Sequence, residues 1–215
     1  MSKSTKLALV LCLAGSPAFG GTLLFQGAFA DDTGVALINL TLNTTQTLTI
    51  QSYGYAGGIV PTSPSTTDIP AGGFAPNVII FDAGGNQIGS DNGGHCGTTG
   101  QDPVTNNCSD PFFQQVFAGG SYTVALVEWD NVSNGLLSDG FKQDGNPGFT
   151  CGEFGLTGNF CDTTTAVGTL RNENWALAIS GTDFSTAVPE PGTFLLGVAG
   201  CFVTALVRRR LQRNS

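Results

Sequence analysis

Cations are scarce in this chain, and their placement is lopsided. Lysine and arginine number 8 against 16 acidic residues, with 1 histidine. Arg208, Arg209, Arg210 and Arg213 crowd at one end, while Lys3 and Lys6 sit at the other. Between them only Lys142 and Arg171 are basic. Against fifteen acids, once Glu190 is set aside, residues 21–187 carry a net charge near −13 (2 − 15). Nucleic acid and anionic lipid both need cationic patches, so this stretch excludes them as partners. Acidity of this kind chiefly keeps a domain soluble, and divalent cations are the one partner class it favours.

The signatures of catalysis are missing as well. No serine stands in a G-x-S-x-G elbow, and neither H-E-x-x-H nor a phosphate-binding glycine loop occurs. His95 lies in the turn Gly93-Gly94-His95-Cys96 with no partner nucleophile, so it makes no triad. Glu128 beside Asp130, with Glu153 and Glu173, leaves paired-carboxylate glycoside hydrolysis as a formal option. Fifteen acids scattered through loops always offer some such pair. The expectation is a protein that is not an enzyme and has no catalytic residue.

What is present is clearest at the two ends. Met1–Gly20 reads as a secretory signal helix: Lys3 and Lys6, the apolar segment Leu7–Ala14, and a small-residue site at Ala18-Phe19-Gly20. Cys12 lies inside the apolar segment behind Leu11, which does not suit lipidation. At the far end Val188-Pro189-Glu190-Pro191 precedes an uncharged run, residues 192–207, and then the basic tail 208–215. As a helix that run spans roughly 24 Å, a little under the ~30 Å of a bilayer core. Pro191 suits its first turn, and the arginines suit both its C-terminal dipole and the cytoplasmic side. Both ends therefore prefer the cytoplasm, and the precursor holds residues 21–187 across the membrane.

The order of Pro-Glu-Pro, short transmembrane helix and arginine cluster resembles the PEP-CTERM sorting tag of exopolysaccharide-making Gram-negative bacteria. The resemblance covers about 28 residues, with Val188, Pro189, Glu190 and Pro191 at the motif and Arg208, Arg209 and Arg210 as the basic stop. It implies an inner-membrane precursor recognised and cut by exosortase, then delivery to the cell surface or the exopolysaccharide matrix. The chemistry of that cut belongs to exosortase and not to this chain.

Residues 21–187 are enough for one domain with a sizeable core. No long stretch has helical periodicity, and short β-branched runs between turn signals predict an all-β, antiparallel sandwich. Val35–Leu42 alternates Ala36, Ile38, Leu40 and Leu42 against Asn39 and Thr41. Gln46–Tyr53 follows across Asn43-Thr44-Thr45, and the two are expected to form a hairpin. Thr22–Ala30 precedes them. Asn77–Asp82 is a continuous apolar run, as in a central strand, and turns through Ala83-Gly84-Gly85-Asn86 into Gln87-Ile88. Ser121–Trp129 points Tyr122, Val124 and Leu126 inward, and Trp175–Ile179 is the last strand. Residues 54–73 and 89–110 read as long Gly/Pro/Ser/Thr loops. The segments FQGAFADD, GGFAPNVIIFDAGGNQIG, FAGGSYTVALVEWDN and LLSDGFKQDGNPGF also resemble ectodomains related to bacterial pre-peptidase C-terminal domains. That resemblance implies a jelly-roll sandwich with an accessory or binding role.

Cys96, Cys108, Cys151 and Cys161 fall in the exported stretch, where an oxidising periplasm permits disulfides. Cys96–Cys108 and Cys151–Cys161 are the favoured pairs among three pairings, because each closes a short polar loop without a core. The rival is a zinc site of His95, Cys96 and Cys108, whose spacing fits no standard motif. No cofactor is expected beyond a structural Ca2+ in the oxygen-rich loops at Asp130-Asn131 and Asp139 to Asp144. The EF-hand-like start at Asp82 fails, since Gly84 and Gly93 replace ligands. The ordinary reading of these loops is Asx turns. A second reading of the domain is a carbohydrate-binding module for matrix polysaccharide. Tyr53 and Tyr55, beside a Gly-rich loop, are then the best exposed ring platform, with Trp129, Phe141 and Trp175 more suited to the core.

Overall fold

The computed structural model describes residues 19–162 and 169–186. Most of the expected signal segment, the motif at 188–191, the apolar run 192–207 and the basic tail 208–215 lie outside the described residues. Among the described residues, no helix is long and apolar enough to cross a membrane.

The strands are β1 (Phe19–Ala28), β2 (Val35–Leu42), β3 (Gln46–Ser52), β4 (Gly58–Thr62), β5 (Ser65–Ile69), β6 (Pro76–Phe81), β7 (Gln87–Asp91), β8 (Phe112–Phe117), β9 (Gly120–Glu128), β10 (Cys161–Asp162), β11 (Thr169–Leu170) and β12 (Asn174–Thr186). One helical turn, α1 (Phe149–Gly152), interrupts them. A single antiparallel sheet runs β7-β6-β9-β2-β12-β3-β8, with β1 added to β12. The all-β antiparallel expectation therefore holds, in the form of one sheet folded nearly into a barrel.

The expected hairpin of β2 and β3 is not formed. Leu40, Thr41 and Leu42 pair with Thr186, Ser185 and Phe184, and Thr49 to Ser52 pair with Ser180 to Leu177. As the chain advances from β2 into β3 its partner on β12 recedes steadily, so the two are consecutive segments of one bent strand. β8 and β9 behave alike opposite them, with Gln46 against Phe117 and Leu42 against Gly120. Three interruptions line up: 43–45, 118–119 and 181–183. They form a crease along which the sheet folds over, as at the corners of orthogonally packed sheets.

The crease is held by polar side chains and one glycine. Gln46 Oε1 accepts from the amides of Thr182 (2.7 Å) and Asp183 (3.1 Å), while its Nε2 donates to Asp183 O at 2.5 Å. Asn43 Nδ2 donates to Asp183 Oδ1 at 2.7 Å. A Cβ on Gly181 would lie 2.7 Å from Leu48 Cδ2 and 2.8 Å from Gln46 Oε1, so any larger residue must displace the Leu48 and Gln46 side chains. On the far side the edges of β7 and β8 approach, since a Cβ on Gly89 would meet the Phe113 ring at 2.7 Å.

Folding the sheet encloses one main core, including Leu40, Leu48, Ile50, Ile80, Val124, Leu126, Leu177 and Phe184. Two smaller clusters lie outside it. Ile79, Phe81, Ala125 and Val127 are capped by Phe141 from the loop after β9, and Ala176 and Ala178 are capped by Val60 and Ile69 of the β4–β5 hairpin. Being covered on both faces explains why VIIF and VALV read as continuous apolar runs. The stretch 54–73, expected as loop, holds that hairpin, and β8 was not anticipated at all. β12 continues seven residues past Ile179 to Thr186.

Candidate functional site

The chain's chemistry-bearing side chains gather in three places. Arg171 is the centre of the first. Its side chain is only 4% exposed and bonds Asp102 Oδ2 at 2.9 Å through Nη1 and Asp162 Oδ2 at 3.0 Å through Nη2. The guanidinium carbon lies 3.9 Å from the centroid of the Tyr55 ring, a stacked cation–π arrangement. Tyr55 donates its hydroxyl to Asp162, and its own amide donates to Asp110 Oδ1 at 3.1 Å. Asp110 also accepts from the Ser52 hydroxyl and the Ala56 amide.

This overturns the expectation of an exposed ring at Tyr55, which is 0% exposed. Tyr53 is half-buried against the outer cluster that includes Val60 and Ile69. The two tyrosines therefore make no open platform; strand alternation was broken at Gly54, and the sequence carried no sign of the partners that cover Tyr55. Burial alone would raise the Asp102 carboxyl, but the Arg171 guanidinium and the Thr105 donors hold it down to about 2. Burial pushes Asp110 up in spite of its donors, and Tyr53 up with help from the Asp110 charge.

The second cluster closes the base of the barrel. Glu128 is 1% exposed and, among the described residues, accepts a single 3.3 Å bond, from the Asp130 amide. Burial, reinforced by the negative charges of Asp32, Asp130 and Glu153, drives its carboxyl well above the usual range. Asp32, also buried, accepts from Gly148 N, Thr150 N and Thr150 Oγ1, tying the start of α1 to the β1–β2 turn. At 1% exposure Glu128 is out of reach of a solvent-borne substrate.

The residues considered for Ca2+ divide between this base and its neighbouring turns. Both Asp130 oxygens accept from Lys142 Nζ, at 2.7 and 2.8 Å, and Oδ2 also from Gln143 Nε2 at 2.7 Å. Asn131 is buried, accepting from Gln143 N and donating to Thr33 O. Asp144 Oδ2 caps the Phe141 amide at 2.9 Å, and Asp139 ends a 3-10 turn on the exposed surface. The structure brings Asp130 and Asn131 together on Gln143, but protein donors already engage their oxygens, and an ammonium stands where a dication would bind Asp130. Asp82 likewise accepts from its own turn, at Gly84 N, Asn86 N and Asn86 Nδ2. No group of three or more His, Cys, Asp or Glu able to hold a metal occurs among the described residues.

Both expected disulfides are formed, Cys96–Cys108 and Cys151–Cys161, which removes the two thiolates of the rival zinc site. His95 Nε2 lies 2.6 Å from Asp91 Oδ2, and Asp91 Oδ1 accepts from Gly93 N and Phe112 N. The pair anchors the disulfide-closed loop to β7 and β8.

The third place is an open groove of about 700 Å³ on the outer face of β2 and β9. Its floor is Asn39, Thr41, Ser121 and Thr123, and its wall is the Asp82–Gly85 turn with Leu137 and Ser138. Thr123 Oγ1 donates to Asn39 Oδ1 at 3.0 Å across the strands. Strand alternation marked Asn39 and Thr41 as outward-facing, but nothing in the sequence showed that the 137–138 turn would rise beside them. No protein-family model matches the chain, and no curated protein is significantly similar to it.

Proposed function

We propose that this chain is an exported, non-enzymatic β-sandwich of jelly-roll type that serves a structural or adhesive role at the cell surface or in the exopolysaccharide matrix. Both ends are read as addresses: a secretory signal at Met1–Gly20, and a PEP-CTERM tag at 188–215 processed by exosortase. The observation that carries the reading is the pair of buried disulfides, with Cys108, Cys151 and Cys161 all inside the fold. Such bonds form and persist in oxidising compartments and are rare in a reducing cytosol.

Two further observations support it. Phe19 pairs with Phe184, so the chain enters the domain at β1 and leaves it at the end of β12 side by side. A domain built this way brings its first and last strands out at one pole, the arrangement expected if both ends were held at one membrane before processing. Three of its polar clusters hold loops: the Arg171 network, the Asp32 cap and the Asp91–His95 pair. In this reading none of them touches a substrate.

Replacing Pro189, Glu190 and Pro191 by alanine tests the sorting step. Fractionation is expected to leave the variant in the inner membrane with its tail uncut, while the parent chain leaves the membrane shortened. Normal processing and release of the variant would end the sorting claim.

A further inference from the structure

The outer face of β2 and β9, with its continuation over the crease onto β3 and β8, has a property that composition does not predict. In a domain of net charge near −13, its strands place no charged side chain on it, and the one carboxylate at the groove is Asp82 on the wall, whose oxygens accept from Gly84 N, Asn86 N and Asn86 Nδ2. β2, β3 and β8 contain no Asp, Glu, Lys, Arg or His, and the one such residue in β9, Glu128, is turned inward and buried. In place of charge the face carries hydroxyls and amides, with Leu37 and Val116 exposed among them. Asn39 bonds Thr123, Gln114 Nε2 donates to Thr49 Oγ1 at 2.8 Å, and Thr41 stands opposite Ser121. Same-face residues repeat about every 6.8 Å along a strand, on strands about 4.8 Å apart. The groove beside the Asp82–Gly85 turn lies at one end of this face, and its volume is within the ~300–1,000 Å³ typical of ligand sites.

We propose that this face, with the groove as its deepest point, binds an uncharged polysaccharide chain. Neutral donors and acceptors exchange water for sugar hydroxyls at little cost, whereas a carboxylate covered by a ligand would lose its hydration. The field of the surrounding acids repels polyanions, so an acidic glycan is disfavoured over a neutral one. A fatty or aromatic ligand would cover the side-chain donors and acceptors of Asn39, Thr41, Ser121 and Thr123 without replacing their water partners. A docking peptide strand needs a free sheet edge, and β2 and β9, the strands of the groove, are each paired on both sides. The inference rests on the matrix reading for the presence of polysaccharide, but its site and ligand chemistry come from this face.

Affinity electrophoresis of the full chain in detergent tests it, with dextran, laminarin, mannan or galactan cast into the gel, and alginate as the polyanionic comparison. At least one neutral glycan is expected to retard the protein, and alginate is not. The double variant Thr41→Glu/Ser121→Glu, at two exposed positions, is expected to bind at least tenfold more weakly with an unchanged melting temperature. Thr66→Glu, exposed on β5, should bind as the parent does. No retardation by any neutral glycan, equal retardation by alginate, or full binding by the double variant would each overturn the proposal. So would sedimentation showing that the double variant abolishes a self-association present without glycan, which would make the face an interface between copies. Cell fractionation separates the two readings. A chain exported and processed yet unretarded loses this site and keeps its matrix role, whereas one that binds glycan but stays in the cytoplasm does the reverse.

Discussion

Arg171 shows how one residue can organise several loops. It is one of two cations between the termini, and it neutralises two carboxylates that are each 1% exposed on the side chain. Arg171→Met keeps much of the side-chain length but takes the guanidinium away from the two buried carboxylates Asp102 and Asp162. A loss of about 3–5 kcal/mol is expected from urea unfolding at pH 7, and a change under 1 kcal/mol would show that the network is dispensable. Asp102 and Glu128 give opposite pH dependences. The folded Asp102 carboxyl sits at about 2, so its contribution is full above its unfolded value near 4 and is lost as pH falls between the two. Glu128 is raised, so its contribution is full below its unfolded value near 4.3 and is lost as pH rises through the folded value. Glu128→Gln removes that second loss. Its melting temperature relative to the parent should climb by roughly 2–4 °C or more between pH 4 and pH 8. A difference flat across that range would mean that Glu128 titrates normally.

At the scale of elements, the crease decides the architecture. Gln46→Ala would leave the Thr182 and Asp183 amides without their acceptor, an expected cost of about 1–3 kcal/mol. Gly181→Val, with branches pressed onto Leu48 and Gln46, should cost at least as much. Urea midpoints for the two variants check this, and wild-type values would remove the crease as a determinant of the fold. The individual strands were legible because alternation and apolar runs are local: Val35–Leu42 matches to the residue, and the runs at Asn77–Asp82 and Ser121–Trp129 match to within a residue or so. The connection between them was not. Asn43-Thr44-Thr45 has the composition of a hairpin turn, and only the distant Asp183 and Thr182, inserted alongside, turn it into a bend. Tyr55 was misjudged for the same reason. A tyrosine beside glycines looks exposed until Arg171, 116 positions later, is laid across its ring. The disulfide pairs were legible because each closes a short local loop, while the groove depends on a turn and two strands far apart in sequence.

For the whole molecule, small loops without cores of their own are fastened to a folded sheet by covalent and ionic ties. Each disulfide closes a loop of sequence separation 12 or 10, worth about 3 kcal/mol by the chain-entropy model. Reduction is therefore expected to lower the unfolding midpoint by the equivalent of several kcal/mol in total, and an unshifted midpoint on full reduction would contradict that weight. The same bonds connect stability to the proposed destination, since disulfides form and persist in oxidising compartments. Thiol counting on the protein recovered from the cell surface or medium joins these statements in one measurement. The chain holds 6 cysteines, of which Cys12 and Cys201 lie in the terminal segments. The account predicts an intact mass lacking both segments, no iodoacetamide adduct before reduction and four after it. A surface protein of full mass, alkylated at two sites before reduction and six after, would contradict it.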